Sequence, residues 1–140
     1  MAKKAAVMIY PQFSMQEISC LTDALKVYFD IEIDVFASKK EIICSEDSFQ
    51  VIPHKTFNEF RPEDYLCLIL PGIYNPLPAL FDEENIRFLR MLKGSDLPIC
   101  SISCSPILLA KAGLLDNVHY TSGMWQEMAE YLPFVPHQNF

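Results

Sequence analysis

Short apolar blocks alternate with amphipathic stretches along the chain, and the two periods separate cleanly. "KAAVMIY" (4–10) is an apolar run closed by Pro11 and predicts a first strand. "SMQEISCLTDALKVY" (14–28) places Ile18, Leu21, Leu25 and Tyr28 on one helix face, with Ser14 positioned as the cap. "IEIDVFA" (31–37) alternates as a strand does. "EIICS" and "FQVIP" are short extended pieces, either a hairpin or a detour at the sheet edge. "YLCLILPG" (65–72) is a fully apolar strand ending in Pro-Gly. In "DEENIRFLRMLKGSDLP" (82–98) acids lead and Arg90 and Lys93 close, as a helix dipole prefers, with Gly94 as the stop. "PICSIS" (98–103) is the next buried strand. "SPILLAKAG" (105–113) is a short helix with Ser105 as cap, Pro106 in its first position and Gly113 past its end. "VHYTS" (118–122) predicts a strand and "MWQEMAEYL" (124–132) a helix.

Apolar strands alternating with helices predict an α/β fold, with a mainly parallel sheet covered on both faces. Ligands of such sheets bind beyond the carboxyl ends of the strands. Three segments meet there in this reading: 10–17, 71–75 and 103–106.

Composition narrows the function. The 140 residues, 51% of them hydrophobic, suit a single domain with one core. Net charge is −7 and the Lys and Arg residues do not cluster, which disfavours nucleic acid and anionic membrane surfaces. No apolar run reaches the roughly 20 residues that span a bilayer. "MAKKAAVMIYPQF" stops at Pro11, too early for a signal peptide, so a cytoplasmic location is expected. The cysteines are Cys20, Cys44, Cys67, Cys100 and Cys104, an odd number without C-x-x-C, which predicts reduced and mostly buried thiols. His54, His119 and His137 show no metal-ligand spacing with them. No metal and no cofactor are expected.

The junction "SISCSP" is where chemistry would sit. Backbone N–H groups at a strand-to-helix turn stabilise an anion, and Ser103 and Cys104 stand side by side there. An ordinary strand end before a capped helix is written the same way. Glu17, the one acid in "YPQFSMQEISC", is either a dipole-favoured helix residue or a carboxyl leaning over the junction. "LPGIYNP" is either a plain turn or a set of N–H donors facing the same point. His119 reads as a surface histidine, and Trp125 with Met124 and Met128 as helix packing.

"YPQFSMQEISCLTDAL", "DYLCLILPG" and "ICSISCSPILLAKAGLLDNVHYTSGMW", in that order, resemble the ThiJ/PfpI family of the class I glutamine amidotransferase-like superfamily. The most specific part, 102–124, aligns without a gap to I-C-T-G-x-x-L-L-A-x-A-G-L-L-x-G-x-x-x-T-x-H-W. The resemblance implies a flavodoxin-like three-layer α/β sandwich, often a homodimer. It implies peptidase-like, chaperone-like, glyoxalase or hydratase chemistry, or a regulator bearing a further DNA-binding domain. It puts the elbow cysteine at Ser103, the glycine two residues on at Ser105, the later histidine at Gly123 and the acidic partner at Glu17. The Pro-Gly-Gly of the oxyanion hole becomes Pro71, Gly72 and Ile73. A serine without an adjacent base is a poor nucleophile, and glycine at 123 accepts no proton. The expectation is a catalytically degenerate protein that binds a small molecule or partner at the former pocket, through Gly72, Ile73, Ser105 and Gly123. The alternative is an enzyme or thiol redox sensor using Cys104 or Ser103. Family members usually continue with another strand and helix, so residues 1–140 are expected to be an incomplete domain.

Overall fold

The computed structural model describes residues 4–123 and Leu132. The elements in chain order are β1 (Lys4–Met8), α1 (Gln16–Val27), β2 (Ile33–Ala37), β3 (Ile43–Cys44), β4 (Gln50–Val51) and β5 (Lys55–Thr56). Then come β6 (Tyr65–Leu70), α2 (Leu77–Phe81), α3 (Glu83–Met91), β7 (Ile99–Ser101) and α4 (Pro106–Lys111). Among the described residues one parallel sheet runs β5-β2-β1-β6-β7, and β3 with β4 forms a separate antiparallel hairpin.

That order fixes the layers. The step from β1 to β2 runs one way across the sheet, and the step from β6 to β7 runs the other way. Right-handed crossovers therefore put α1 on one face and α2 with α3 on the opposite face. Order reverses at β1, so a crevice opens between the carboxyl ends of β1 and β6, the place where such sheets bind ligands. On the α3 face, Phe88 stacks on Phe57 at 4.2 Å and meets Phe60 edge-on, and Phe60 meets Phe36 of β2. On the other face Ile18 of α1 is buried and Leu25 packs half-buried against the core. No helix among the described residues is long and apolar enough to cross a membrane.

The mainly parallel α/β sheet agrees with the sequence, and several details do not. Tyr28 lies outside α1 and is exposed. The N-cap of α1 is Met15, not Ser14, whose hydroxyl instead donates to Glu46 at 2.9 Å. Helix α3 stops at Met91, and the left-handed turn falls at Gly94 (φ 84°). No strand forms over 118–122, because the segment leads to Gly123, whose N–H bonds the Ser103 carbonyl and not a sheet partner. The helix expected at 124–132 lies outside the described residues except for Leu132. The sequence pattern shows neither β5 nor α2; the first is two residues long and the second carries Pro78 in its first turn. The five thiols are free, but Cys20, Cys44 and Cys100 are exposed, so the thiols are not mostly buried.

Under the amino end of the sheet, Asp34 holds a charged cluster. Its carboxylate accepts from Lys55 (2.9 Å), Tyr65 (2.8 Å) and Lys4 (3.3 Å), side chains from β5, β6 and β1. Burial pushes the Asp34 carboxyl up, but the hydrogen bonds from Lys55, Tyr65 and Lys4 outweigh it and hold the group below its ordinary 3.8. Burial first, and Asp34 next, push the Tyr65 phenol up to about 12. Each shift makes stability depend on pH. The Asp34 contribution is complete above pH 3.8 and is lost as pH falls through the lower folded value. The Tyr65 contribution is complete below pH 10.0 and is lost as pH rises towards about 12. Asp34→Asn should cost about 1–3 kcal/mol in urea unfolding, since it strips two lysines of a partly buried counter-charge. The variant should also lose the acid-side slope. Unchanged stability and an unchanged slope would refute this role.

Candidate functional site at the strand-to-helix elbow

The site is built from three chain segments at the crevice. After β1 the chain turns through Tyr10, Pro11 and Gln12 (φ 63°) into α1, which carries Glu17 in its first turn. Glu17 reaches across to the loop after β6, where its Oε2 accepts the Gly72 N–H at 2.7 Å. That loop is held from every side. The buried Tyr10 hydroxyl donates to the Pro71 carbonyl, the Ser14 N–H to the Gly72 carbonyl at 2.8 Å, and the Cys104 thiol to the Ile73 carbonyl at 2.9 Å. Burial, reinforced by the nearby Cys104, keeps the Tyr10 phenol protonated well above its usual range.

The third segment is the elbow. Ser103 follows β7 with φ 56°, the left-handed region that a non-glycine residue rarely adopts. It is exposed, and its carbonyl accepts the Gly123 N–H at 2.8 Å. Cys104 turns the other way. It is buried, and burial pushes its thiol up in spite of the hydrogen bond to Ile73, so it is not prone to form thiolate. Ser105 occupies the N-cap position of α4 but makes no side-chain cap. Fully buried, its hydroxyl accepts the Ile102 N–H at 2.8 Å and lies 2.6 Å from the Ser101 hydroxyl and 3.1 Å from the Leu70 carbonyl. It ties the elbow to the sheet.

Two glycines permit the close approach. A β-carbon on Gly72 would overlap the Glu17 carboxylate and come within 2.8 Å of the Ser103 Cβ, so Glu17 and Ser103 border one small volume above Gly72. A β-carbon on Gly123 would lie 2.9 Å from the Ser103 carbonyl carbon and 3.1 Å from the Cys104 nitrogen. The room a histidine would need at 123 is taken by the elbow's own backbone.

Of the residues singled out in the sequence, Glu17, Gly72, Ser103 and Gly123 converge. Cys104, Ser105 and Ile73 are buried, and the Cys104 thiol and Ser105 hydroxyl are bonded to the surrounding frame. His54 Nδ1 accepts the Val35 N–H at 3.0 Å, and among the described residues no histidine hydrogen-bonds to Ser103 or Cys104. His137 lies outside the described residues. Sequence reasoning missed Tyr10, which looks like one more apolar strand residue before Pro11. It also missed the Ser14–Glu46 pair, which depends on the β3–β4 hairpin folding back over the crevice. The described residues contain no group of three His, Cys, Asp or Glu that could hold a metal.

A parallel sheet with its order reversed at β1 and a strained residue on the β7–α4 elbow define a flavodoxin-like α/β protein with an elbow-type site. The model of the DJ-1/PfpI family matches residues 3–132, and the chain belongs to that family. Among curated relatives, the Deglycase PfpI of Pyrococcus furiosus is 26% identical over 91 residues, 65% of this chain and 55% of that protein. The Isonitrile hydratase of Pseudomonas putida is 23% identical over 122 residues, 87% of this chain and 53% of that protein. The chain thus spans about half the length of these relatives. A solved DJ-1 superfamily protein from Agrobacterium tumefaciens shares the fold with a TM-score of 0.81 at 17% identity, covering 99% of this chain and 73% of that one. DJ-1beta from Drosophila melanogaster shares it with a TM-score of 0.65 at 20% identity, over 81% of this chain and 61% of that one.

The elbow strain can be weighed directly. A left-handed non-glycine residue costs about 1–2 kcal/mol. Replacing it by glycine removes that cost but adds about 0.4–1 kcal/mol of unfolded-state entropy. Ser103→Ala keeps the strain and loses the hydroxyl, whereas Ser103→Gly loses both. The glycine variant should therefore be more stable than the alanine variant by about 0.5–1 kcal/mol in denaturant unfolding. An alanine variant as stable as the glycine variant, or more so, would show that the turn is not strained.

Proposed function

We propose that this chain binds a small polar molecule at the Glu17–Gly72–Ser103 crevice and carries no turnover there. The observation that carries the reading is the contrast at the elbow. The strained backbone is kept, with Ser103 at φ 56°, while its hydroxyl has no histidine partner among the described residues and the neighbouring thiol is buried. A serine hydroxyl needs a base whose pKa lies near the operating pH, and a carboxylate is a weak base for an alcohol. Glu17 already spends one oxygen on the Gly72 N–H. Exposed Ser103, the second Glu17 oxygen and the exposed Glu46 carboxylate leave polar groups that suit binding.

Relatives named deglycase and isonitrile hydratase define the reactions to assay. Steady-state kinetics on methylglyoxal, peptide and isonitrile substrates should give turnover no higher than the buffer blank, unchanged in Ser103→Ala and Cys104→Ala. Losing the nucleophile or the base of a serine protease costs about 10⁶ in turnover, so residual binding would not hide the deficit. A thermal-shift screen of small polar metabolites should return ligands whose stabilisation is lost in Glu17→Ala. A ligand at a hundred times its Kd adds about 2.7 kcal/mol, readily seen as a raised Tm. Robust native activity abolished by either alanine change would overturn the reading and name the nucleophile.

A further inference from the structure

Away from the elbow, two thiols share one face of the sheet edge. β6 and β7 pair in parallel with Ile69 opposite Cys100. Cys67 stands two residues before Ile69, so it points to the same face as Cys100 and sits diagonally across from it. Cys100 is exposed and Cys67 half-buried, whereas Cys104 is buried behind the elbow. β7 is three residues long and lies at the end of the sheet order, bonded to β6 alone among the described strands.

We propose that Cys67 and Cys100 form a peroxide-responsive thiol pair that closes to a reversible disulfide. With strands about 4.8 Å apart and a rise of about 3.3 Å per residue, positions two residues off register on parallel neighbours stand about 8 Å apart at Cα. Disulfides usually need about 4.4–6.8 Å. The bond therefore requires β7 to slip along β6, at unchanged strand spacing, by on the order of 2 Å. A short edge strand can yield that far, and the resulting strained bond belongs to the labile, reducible class. Burial, with Cys100 as its next neighbour, pushes the Cys67 thiol up. Exposed Cys100 is thus the attacking thiol and Cys67 the resolving one.

The chemistry balances with hydrogen peroxide as oxidant. The Cys100 thiolate attacks a peroxide oxygen; an S–O bond forms, the O–O bond breaks and hydroxide leaves as water, giving the sulfenic acid. The Cys67 thiolate then attacks that sulfur; the S–S bond forms, the S–O bond breaks and a second water leaves. Two thiols and one peroxide become one disulfide and two waters, a two-electron oxidation of the protein.

The test uses the reduced full chain, treated with equimolar hydrogen peroxide, capped with N-ethylmaleimide and mapped without reduction by mass spectrometry. The expected product is a Cys67–Cys100 peptide pair lighter by two hydrogens, formed before any product at Cys104 and removed by dithiothreitol. In Cys67→Ser, Cys100 should instead accumulate as a sulfenic acid trapped by dimedone. Oxidation of Cys100 in the native chain to sulfinic acid, or its linkage to Cys20 or Cys44 without any Cys67–Cys100 pair, would overturn the proposal. The linkage is read on the native chain, so it decides the matter even if the serine variant folds poorly.

Discussion

The Gly72 N–H gives its hydrogen to the Glu17 carboxylate across 2.7 Å, and the shape of the carboxyl edge depends on that contact. It joins the first turn of α1 to the loop after β6, segments 55 residues apart in the chain. It is available only because residue 72 has no side chain, since a β-carbon would displace Glu17 and press on Ser103. The remaining groups of the loop are held by Tyr10 and Ser14 from the β1–α1 turn and by Cys104 from the elbow. Such a frame aims Ser103 with little freedom, which is how a residue can persist in a left-handed conformation that costs about 1–2 kcal/mol.

The frame and the reactive groups have different requirements. The frame needs small residues and satisfied backbone groups, and Gly72, Gly123 and the buried Ser105 hydroxyl supply them. Nucleophilic chemistry also needs a thiolate or a base beside the hydroxyl. At this elbow the thiol is turned into the protein, and Gly123 lies too close to the Ser103 backbone to carry any side chain without displacing it. A histidine introduced at 123 would therefore have to move the elbow before it could reach Ser103. This geometry is the ground on which a binding role is proposed for the crevice.

Much of this was legible in the sequence, because apolar periodicity and helix punctuation are local signals. The alternation of strands and helices, the strand-to-helix turn at Ser103 and the meeting of the Glu17, Gly72 and Ser103 segments follow from such patterns. What escaped depends on tertiary partners. Ser14 and Ser105 are both ideal capping residues, yet their hydroxyls are claimed by Glu46 and by the β6–β7 backbone. Cys100 lies in an apolar run, but it is exposed on β7, the last strand in the sheet order among the described residues. β5 was invisible because two residues carry no period, and α2 because prolines read as loop.

The proposed reading is an elbow that holds its turn and carries no turnover. Covalent labelling tests it most directly. The reduced native chain is treated with an alkyl fluorophosphonate, and separately with a small excess of iodoacetamide, and each adduct is located by peptide mass spectrometry. No phosphonate should appear on Ser103, and alkylation should fall on the exposed Cys20, Cys44 and Cys100 while Cys104 stays free. Stoichiometric phosphonylation of Ser103, or alkylation of Cys104 ahead of the exposed thiols, would contradict it.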